Sequence, residues 1–190
     1  MTKATIFGKG NMGTAVAGIF TAGGATVEQL DSSGGTMSDD SELVILAVPH
    51  TSLPDIVTSY GGQFAGKILV DTTNPLDFAT FQMAVPSDTS AAAELAAQVP
   101  SARVLKAFNT NFAGTLTRKT VAGNPTTVLI AGDDPDAKTT LTEVVTAGGL
   151  DAMDVGELSS SRELEAIGYL QLQLAAGEKI GFSGGFSLHR

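Results

Sequence analysis

The sequence contains no cysteine. That absence removes disulfides, thiolate nucleophiles and thiolate metal sites together. Tryptophan is also missing, and only two histidines occur, His50 and His189. A histidine-rich metal centre is therefore not expected, and no metal-ligand set is assigned. Aromatic residues make up 6% of the chain, too few for a run of base-stacking platforms. Cations are scarce as well: 11 Lys and Arg stand against 20 Asp and Glu, a net charge of −9. Such a surface repels nucleic acid and anionic membranes alike. No apolar run approaches the ~20 residues of a membrane span. The N-terminus lacks the basic, apolar, small-residue layout of a secretory signal. The expectation is a cytoplasmic protein with neither a nucleic-acid nor a membrane partner.

What is present is a chain of 190 residues, 43% hydrophobic, long enough for one full core. Short β-prone runs alternate with helix-compatible stretches. Strands are expected at 4–7, 27–30, 43–48, 68–70, 104–108, 127–131 and 150–155. Leu43 to Val48 is continuously apolar, as in a parallel strand covered on both faces. Leu150 to Val155 alternates apolar and acidic residues, as in a strand with one wet face. Helices are expected at 14–22, 53–60, 88–99 and 135–147, and from a Ser160–Glu163 capping box to about Ala176. A loop is expected over 72–87 and a final edge strand over 182–188. The alternation implies an α/β fold, a Rossmann-type doubly wound and mostly parallel sheet with a small C-terminal extension. Residues 1–190 are read as one domain, with a dinucleotide-binding core over about 1–105 and the extension over about 106–190.

The first twenty residues carry the main signal. A β-prone run, Ala4 to Phe7, meets Gly8-Lys9-Gly10-Asn11-Met12-Gly13, and helix-compatible residues follow. This is G-x-G-x-x-G in its strand–turn–helix setting. Gly8 is expected to make the turn. Gly10 lets a pyrophosphate approach the backbone, and Gly13 lets the helix pack close to the strand. Free amides at the helix start then face the anion.

In such a sheet, ligands bind beyond the carboxyl ends of the strands. Those ends offer Gly8 to Met12, Asp31-Ser32-Ser33, Ala47-Val48-Pro49-His50, Asp71 to Pro75 and Ala107-Phe108-Asn109-Thr110. The end of the second strand discriminates between the nicotinamide cofactors. An acidic residue there suits the free ribose of NAD, whereas a cation suits the 2′-phosphate of NADP. Asp31 points to NAD, and no Lys or Arg lies between Lys9 and Lys67. Lys9, however, sits inside the glycine loop near the expected ribose, with Ser32 and Ser33 as hydroxyl donors, and points to NADP. No catalytic residue is assigned. His50 is a candidate proton donor without a visible triad. Asp71 reads as a turn or capping residue, and Asp39-Asp40 and Asp133-Asp134 read as helix caps.

Four ordered stretches carry a more specific likeness. They are Ile6 to Gly13 (IFGKGNMG), Leu46 to His50 (LAVPH), Val70 to Phe78 (VDTTNPLDF) and Lys106 to Leu116 (KAFNTNFAGTL). With the helical stretch Ser159 to Ala175, they resemble deazaflavin (coenzyme F-420)-dependent NADP reductases and their short bacterial relatives. The resemblance spans nearly the whole chain. It implies NADP(H) lying across the strand ends with a flat redox partner stacked on the nicotinamide. It further implies that Gly8, Lys9, Gly10, Asn11 and Met12 contact phosphates or ribose, and that Ala47, Val48, Pro49 and Asn74 line the nicotinamide half. Ala107, Phe108 and Asn109 would lie close by. One departure stands out: a Ser-Arg or Ser-Lys pair usual after the second strand is replaced by Asp31-Ser32-Ser33.

The expected activity is hydride transfer between NADP(H), or alternatively NAD(H), and a small-molecule redox substrate such as a flavin or deazaflavin. The alternative from another class is a dinucleotide-binding sensor or partner subunit without turnover. A stand-alone relative of dehydrogenases with a large helical substrate domain is a third reading. A homodimer through the apolar helix Leu164 to Leu174 is a further expectation, set against burial of that helix in the protein's own core.

Overall fold

A computed structural model describes residues 2–31 and 33–188, so Ser32 and His189 lie outside the described residues. Seven strands form one sheet: β1 (Lys3–Phe7), β2 (Thr26–Leu30), β3 (Leu43–Leu46), β4 (Ile68–Asp71), β5 (Arg103–Ala107), β6 (Thr127–Gly132) and β7 (Asp151–Asp154). Their spatial order is β7-β6-β5-β4-β3-β1-β2. All pairings are parallel except β6 with β5, which is antiparallel. The fold is the Rossmann-like, doubly wound α/β architecture.

Period-two alternation feeds two cores, one on each face. Ile6, Leu43, Ile45, Val70 and Leu105 face helices α1 (Asn11–Ala22) and α5 (Pro135–Ala147), meeting Val16, Phe20, Leu141 and Val145. Phe7, Val44, Leu46, Leu69 and Val104 face α2 (Leu53–Tyr60) and α3 (Ala91–Gln98), meeting Leu53, Phe64 and Leu95. Strands read as unbroken apolar runs because both faces are covered. Register then aligns the carboxyl ends. Leu30, Phe7, Leu46, Asp71 and Lys106 are successive partners across five parallel strands. The residues that follow them therefore emerge along one edge.

Several local expectations give way to the structure. No capping box forms at Ser160: a 3₁₀ turn, Leu158–Ser160, runs straight into α6 (Ser161–Ala176), so Ser160 is already helical and its side chain makes no cap. Asp39-Asp40 starts no helix; Asp40 pairs with Lys3 at 2.6 Å. Asp134 does cap α5, accepting from the Ala137 amide at 2.8 Å. The loop over 72–87 contains a two-rung hairpin, Leu76–Asp77 with Gln82–Met83. A short helix, α4 (Ala113–Arg118), and a second small hairpin at 120–125 precede β6. Residues 182–188 form no strand. Interrupted by glycine, this tail instead crosses α4, where the Phe182 carbonyl lies so close to Gly114 that a Cβ would sit 2.6 Å from it. No helix among the described residues is long and apolar enough to cross a membrane.

Candidate functional site

The glycine loop joins β1 to α1 at the point where the strand order reverses, between β1 and β3. Gly8 has φ +116°, and a Cβ there would meet the Ala47 carbonyl oxygen at 2.1 Å. Only glycine satisfies both constraints. Gly13 is equally restricted, because its Cβ would meet the Gly8 carbonyl oxygen at 2.1 Å. Gly10 differs: a Cβ there would find no described atom within 4 Å. Gly8 and Gly13 are thus small for the protein's own packing, while the space at Gly10 is open. Gly10 is also the N-cap of α1; no described side chain caps that helix, and its first turn holds no acid. The first-turn amides lack intrahelical acceptors, and the helix dipole adds positive potential. The loop suits a pyrophosphate.

Two cavities meet at Gly10. One, of about 630 Å³, is bounded by Gly8, Lys9, Asp31, Ser33 and Tyr60. The other, of about 370 Å³, is bounded by Asn11, Met12, His50, Asn74 and Asn109. Gly10 and Ala47, Val48 and Pro49 line both. Both volumes lie in the ~300–1,000 Å³ range of small-molecule sites.

At the first cavity, Lys9 Nζ reaches Asp31 Oδ2 at 2.9 Å, so the two residues that pointed to different cofactors are paired with each other. The Ser33 backbone amide donates to Asp31 Oδ1 at 3.0 Å, and the Ser33 hydroxyl also donates to it. The hydroxyl, then Lys9, hold the Asp31 carboxyl far below the usual carboxylate range.

The far wall of the second cavity is side-chain work. Asn109 Nδ2 donates to Asn74 Oδ1 at 2.9 Å and to the Leu164 carbonyl of α6 at 2.8 Å. Asn74 Nδ2 returns a bond to the Asn109 carbonyl at 2.8 Å. Asn74 fits because Gly168 of α6 lacks a Cβ, which would stand 2.2 Å from Asn74 Oδ1. His50 opens the 3₁₀ turn after Pro49, with a buried Nδ1 that has no hydrogen-bond partner. Ala107 and Phe108 do not reach the cleft surface; both are fully buried in the core on the α1 side. Phe108 takes φ +66°, which turns the chain so that Asn109 emerges into the cavity.

Sequence reasoning missed the anchor behind this wall. Asp71 and Lys106, register partners on β4 and β5, both project to the α3 side. Lys106 Nζ meets Asp71 Oδ2 at 2.8 Å, Glu165 Oε1 of α6 at 2.7 Å and the Thr73 carbonyl at 2.6 Å, all with their side chains essentially fully buried. Asp71 Oδ1 accepts from the Thr73 amide at 2.8 Å, so Thr73 is clamped from both sides. Glu165 also accepts from the Ala91 and Ala92 amides at the start of α3, where the helix dipole favours its charge. Asp71 is thus a turn residue, as expected, and half of a buried ion pair as well. Two signals were available: a lysine inside an apolar strand, and a glycine inside a helix, which usually has a packing reason.

No family model matches the chain. Metalloreductase STEAP3 of Rattus norvegicus is 42% identical over 109 residues, 57% of this chain and 21% of that protein. The match therefore spans about a fifth of that relative's length. Among solved structures, a "putative F420 dependent NADP-reductase" from Arthrobacter sp. FB24 superposes with a TM-score of 0.85 at 22% identity, covering 100% of both chains. A hypothetical protein, SMa0349, from Sinorhizobium meliloti superposes with a TM-score of 0.72 at 29% identity, covering 85% of this chain and 88% of that one. These structures share the fold described above.

Proposed function

We propose that this protein is an oxidoreductase that binds NADP(H) along the carboxyl ends of β1 to β5 and exchanges hydride with a flavin-like or deazaflavin-like partner. The observation that carries the reading is the uncapped α1 N-terminus opening at Gly10 into two adjoining cavities. In this reading the loop from Gly8 to Met12 takes the pyrophosphate, and Lys9 with Ser33 faces the adenosine ribose. Ala47 to Pro49, Asn74 and Asn109 wall the nicotinamide half. The names of the similar proteins, a metalloreductase and an NADP reductase, agree with a reductase.

A bound nicotinamide supplies the hydride chemistry, and the chain's own task is to bind, orient and exclude water. No side chain is required to move a proton for that. Lys9 favours NADP(H) as the local cation, while Asp31, with Lys9 withdrawn, would favour NAD(H). Titration with NADPH and NADH, followed by nicotinamide fluorescence, tests the reading; failure to bind either would overturn it. Tight binding without turnover on flavins, deazaflavins and quinones would instead identify a dinucleotide sensor.

A further inference from the structure

The buried triad behind the second cavity does not sum to zero. Lys106 brings one positive charge, Asp71 and Glu165 bring two negative charges, and all three side chains are essentially closed to solvent. The hydrogen bonds require both carboxyls to be ionised. Asp71 accepts from the Thr73 amide at Oδ1 and from Lys106 at Oδ2. Glu165 accepts from Lys106 and the Ala92 amide at Oε1, and from the Ala91 amide at Oε2. All four oxygens thus face donors, whereas a protonated carboxyl would need an acceptor. Lys106 directs its three protons to Asp71, Glu165 and the Thr73 carbonyl. Among the described residues no second cation pairs with either carboxylate. Well-packed apolar side chains often serve stability as well as a buried ion cluster does, or better. The surplus negative charge therefore calls for another role.

Its position suggests one. Thr73, clamped by Asp71 and Lys106, lines the second cavity, and so does Gly168, one helical turn beyond Glu165 on α6. No Asp, Glu, Lys or Arg lines that cavity itself, and His50 is the one ionisable side chain on its wall. The surplus charge sits one layer behind the wall, where exclusion from water strengthens its field and shelters it from salt. The opposing field is that of the α1 N-terminus, which the pyrophosphate covers in the oxidoreductase reading. A ligand in this cavity is therefore favoured in its more positively charged form.

We propose that Asp71, Glu165 and Lys106 together bias the nicotinamide electrostatically, favouring its oxidised cation over its neutral reduced form and making the bound cofactor a stronger hydride donor. The inference rests on the oxidoreductase reading and deepens it by giving the reaction a preferred direction. In that direction a C–H bond of the reduced ring breaks, and the hydrogen leaves with both electrons to form a bond on the redox partner. The ring is oxidised, the partner is reduced, and the positive charge left on the ring develops in the field of the triad. None of the three residues lines the cavity. They act through the wall, on the balance between two charge states.

The test titrates the full chain with NADP⁺ and with NADPH, at about pH 8, above the ordinary imidazole range. Raised salt screens the acidic surface and spares the buried triad. The native protein is expected to hold NADP⁺ more tightly than NADPH. Glu165→Gln and, independently, Asp71→Asn each remove one negative charge at nearly constant shape. Each is expected to lower the ratio of NADP⁺ affinity to NADPH affinity about fivefold. A purely structural role would weaken both forms alike and leave the ratio unchanged. An unchanged or raised ratio in either folded variant would overturn the proposal, and so would tighter binding of NADPH than of NADP⁺ to the native protein. If neither variant folds, that native order decides alone. Failure of the native protein to bind either form strikes the oxidoreductase reading and this one with it, whereas binding of both forms with no change of ratio in the variants strikes this one only.

Discussion

At the glycine-loop end of the cleft the groups on offer are backbone amides; at the α6 end they are side-chain amides. The first end is made by what residues lack. Gly8 and Gly13 have no Cβ to strike Ala47 and Gly8, and Gly10 leaves a gap. The second end is made by what distant residues supply. Asn74, Asn109, Glu165 and Gly168 interlock across three elements, over a buried lysine. A backbone-built site tolerates many side chains but few changes at glycine. A side-chain-built site depends on each partner in its network.

The largest effect that tests this contrast is expected at Lys106. Lys106→Met leaves Asp71 and Glu165 buried with no counter-charge, which costs about 3–5 kcal/mol. Urea unfolding should show a lower midpoint, and an unchanged midpoint would mean that the network does not anchor the α6 end. At the other end, Gly13→Ala forces a Cβ against a backbone oxygen and should cost about 1–3 kcal/mol by overpacking. Its neighbour provides the control. Gly10→Ala, facing open space but at the helix N-cap, should cost roughly 0.5–1 kcal/mol yet weaken NADPH about tenfold or more. Calorimetry with NADPH titration separates the two; if Gly10→Ala also unfolds the protein, the gap at Gly10 serves packing and not a ligand.

A smaller effect should follow at Lys9. Lys9→Ala is expected to weaken NADPH about tenfold, as for loss of one charge-assisted hydrogen bond, with little change for NADH. Equal loss of both would show that Lys9 does not read the 2′-phosphate. The smallest effect is the titration of Asp31, whose carboxyl is held below the ordinary range by Ser33 and Lys9. A carboxyl depressed in the folded state stabilises it fully above the ordinary carboxylate range. That contribution fades only as pH falls below the range and through the depressed value. NMR detection of the Asp31 side-chain carbon should show no protonation in the ordinary range, and Lys9→Ala should move the midpoint upward.

The sheet was largely legible because its signal is local. Runs such as Leu43 to Leu46 and Ile68 to Asp71 state their own burial. The direction of β6 was not legible, since nothing in Thr127 to Gly132 distinguishes a parallel from an antiparallel partner. The tail at 182–188 looked like a strand, but Phe182 lies against Gly114 of α4 and Phe112, and Gly185 lies beside Gln171 of α6. Ser160-x-x-Glu163 matched a capping pattern and failed because the preceding turn was already helical. Among the candidate residues, Gly8 to Met12, Asp31, Ala47 to Pro49, Asn74 and Asn109 converge on the cleft. Ala107 and Phe108 sit beneath it.

From its sequence alone, this protein already carried a dinucleotide-type loop, because a turn that needs φ +116° at Gly8 and bare backbone at Gly10 and Gly13 can be written only with glycine at those spaced positions. The tertiary structure alone decided that Lys9 and Asp31 face one another, that Lys106 is neutralised by Asp71 and Glu165, and that Gln171 Oε1 is left without a partner. Those are contacts between residues far apart in the chain. Their free energies depend on distance and exclusion from water, and neither quantity exists until the strands and α6 have come together.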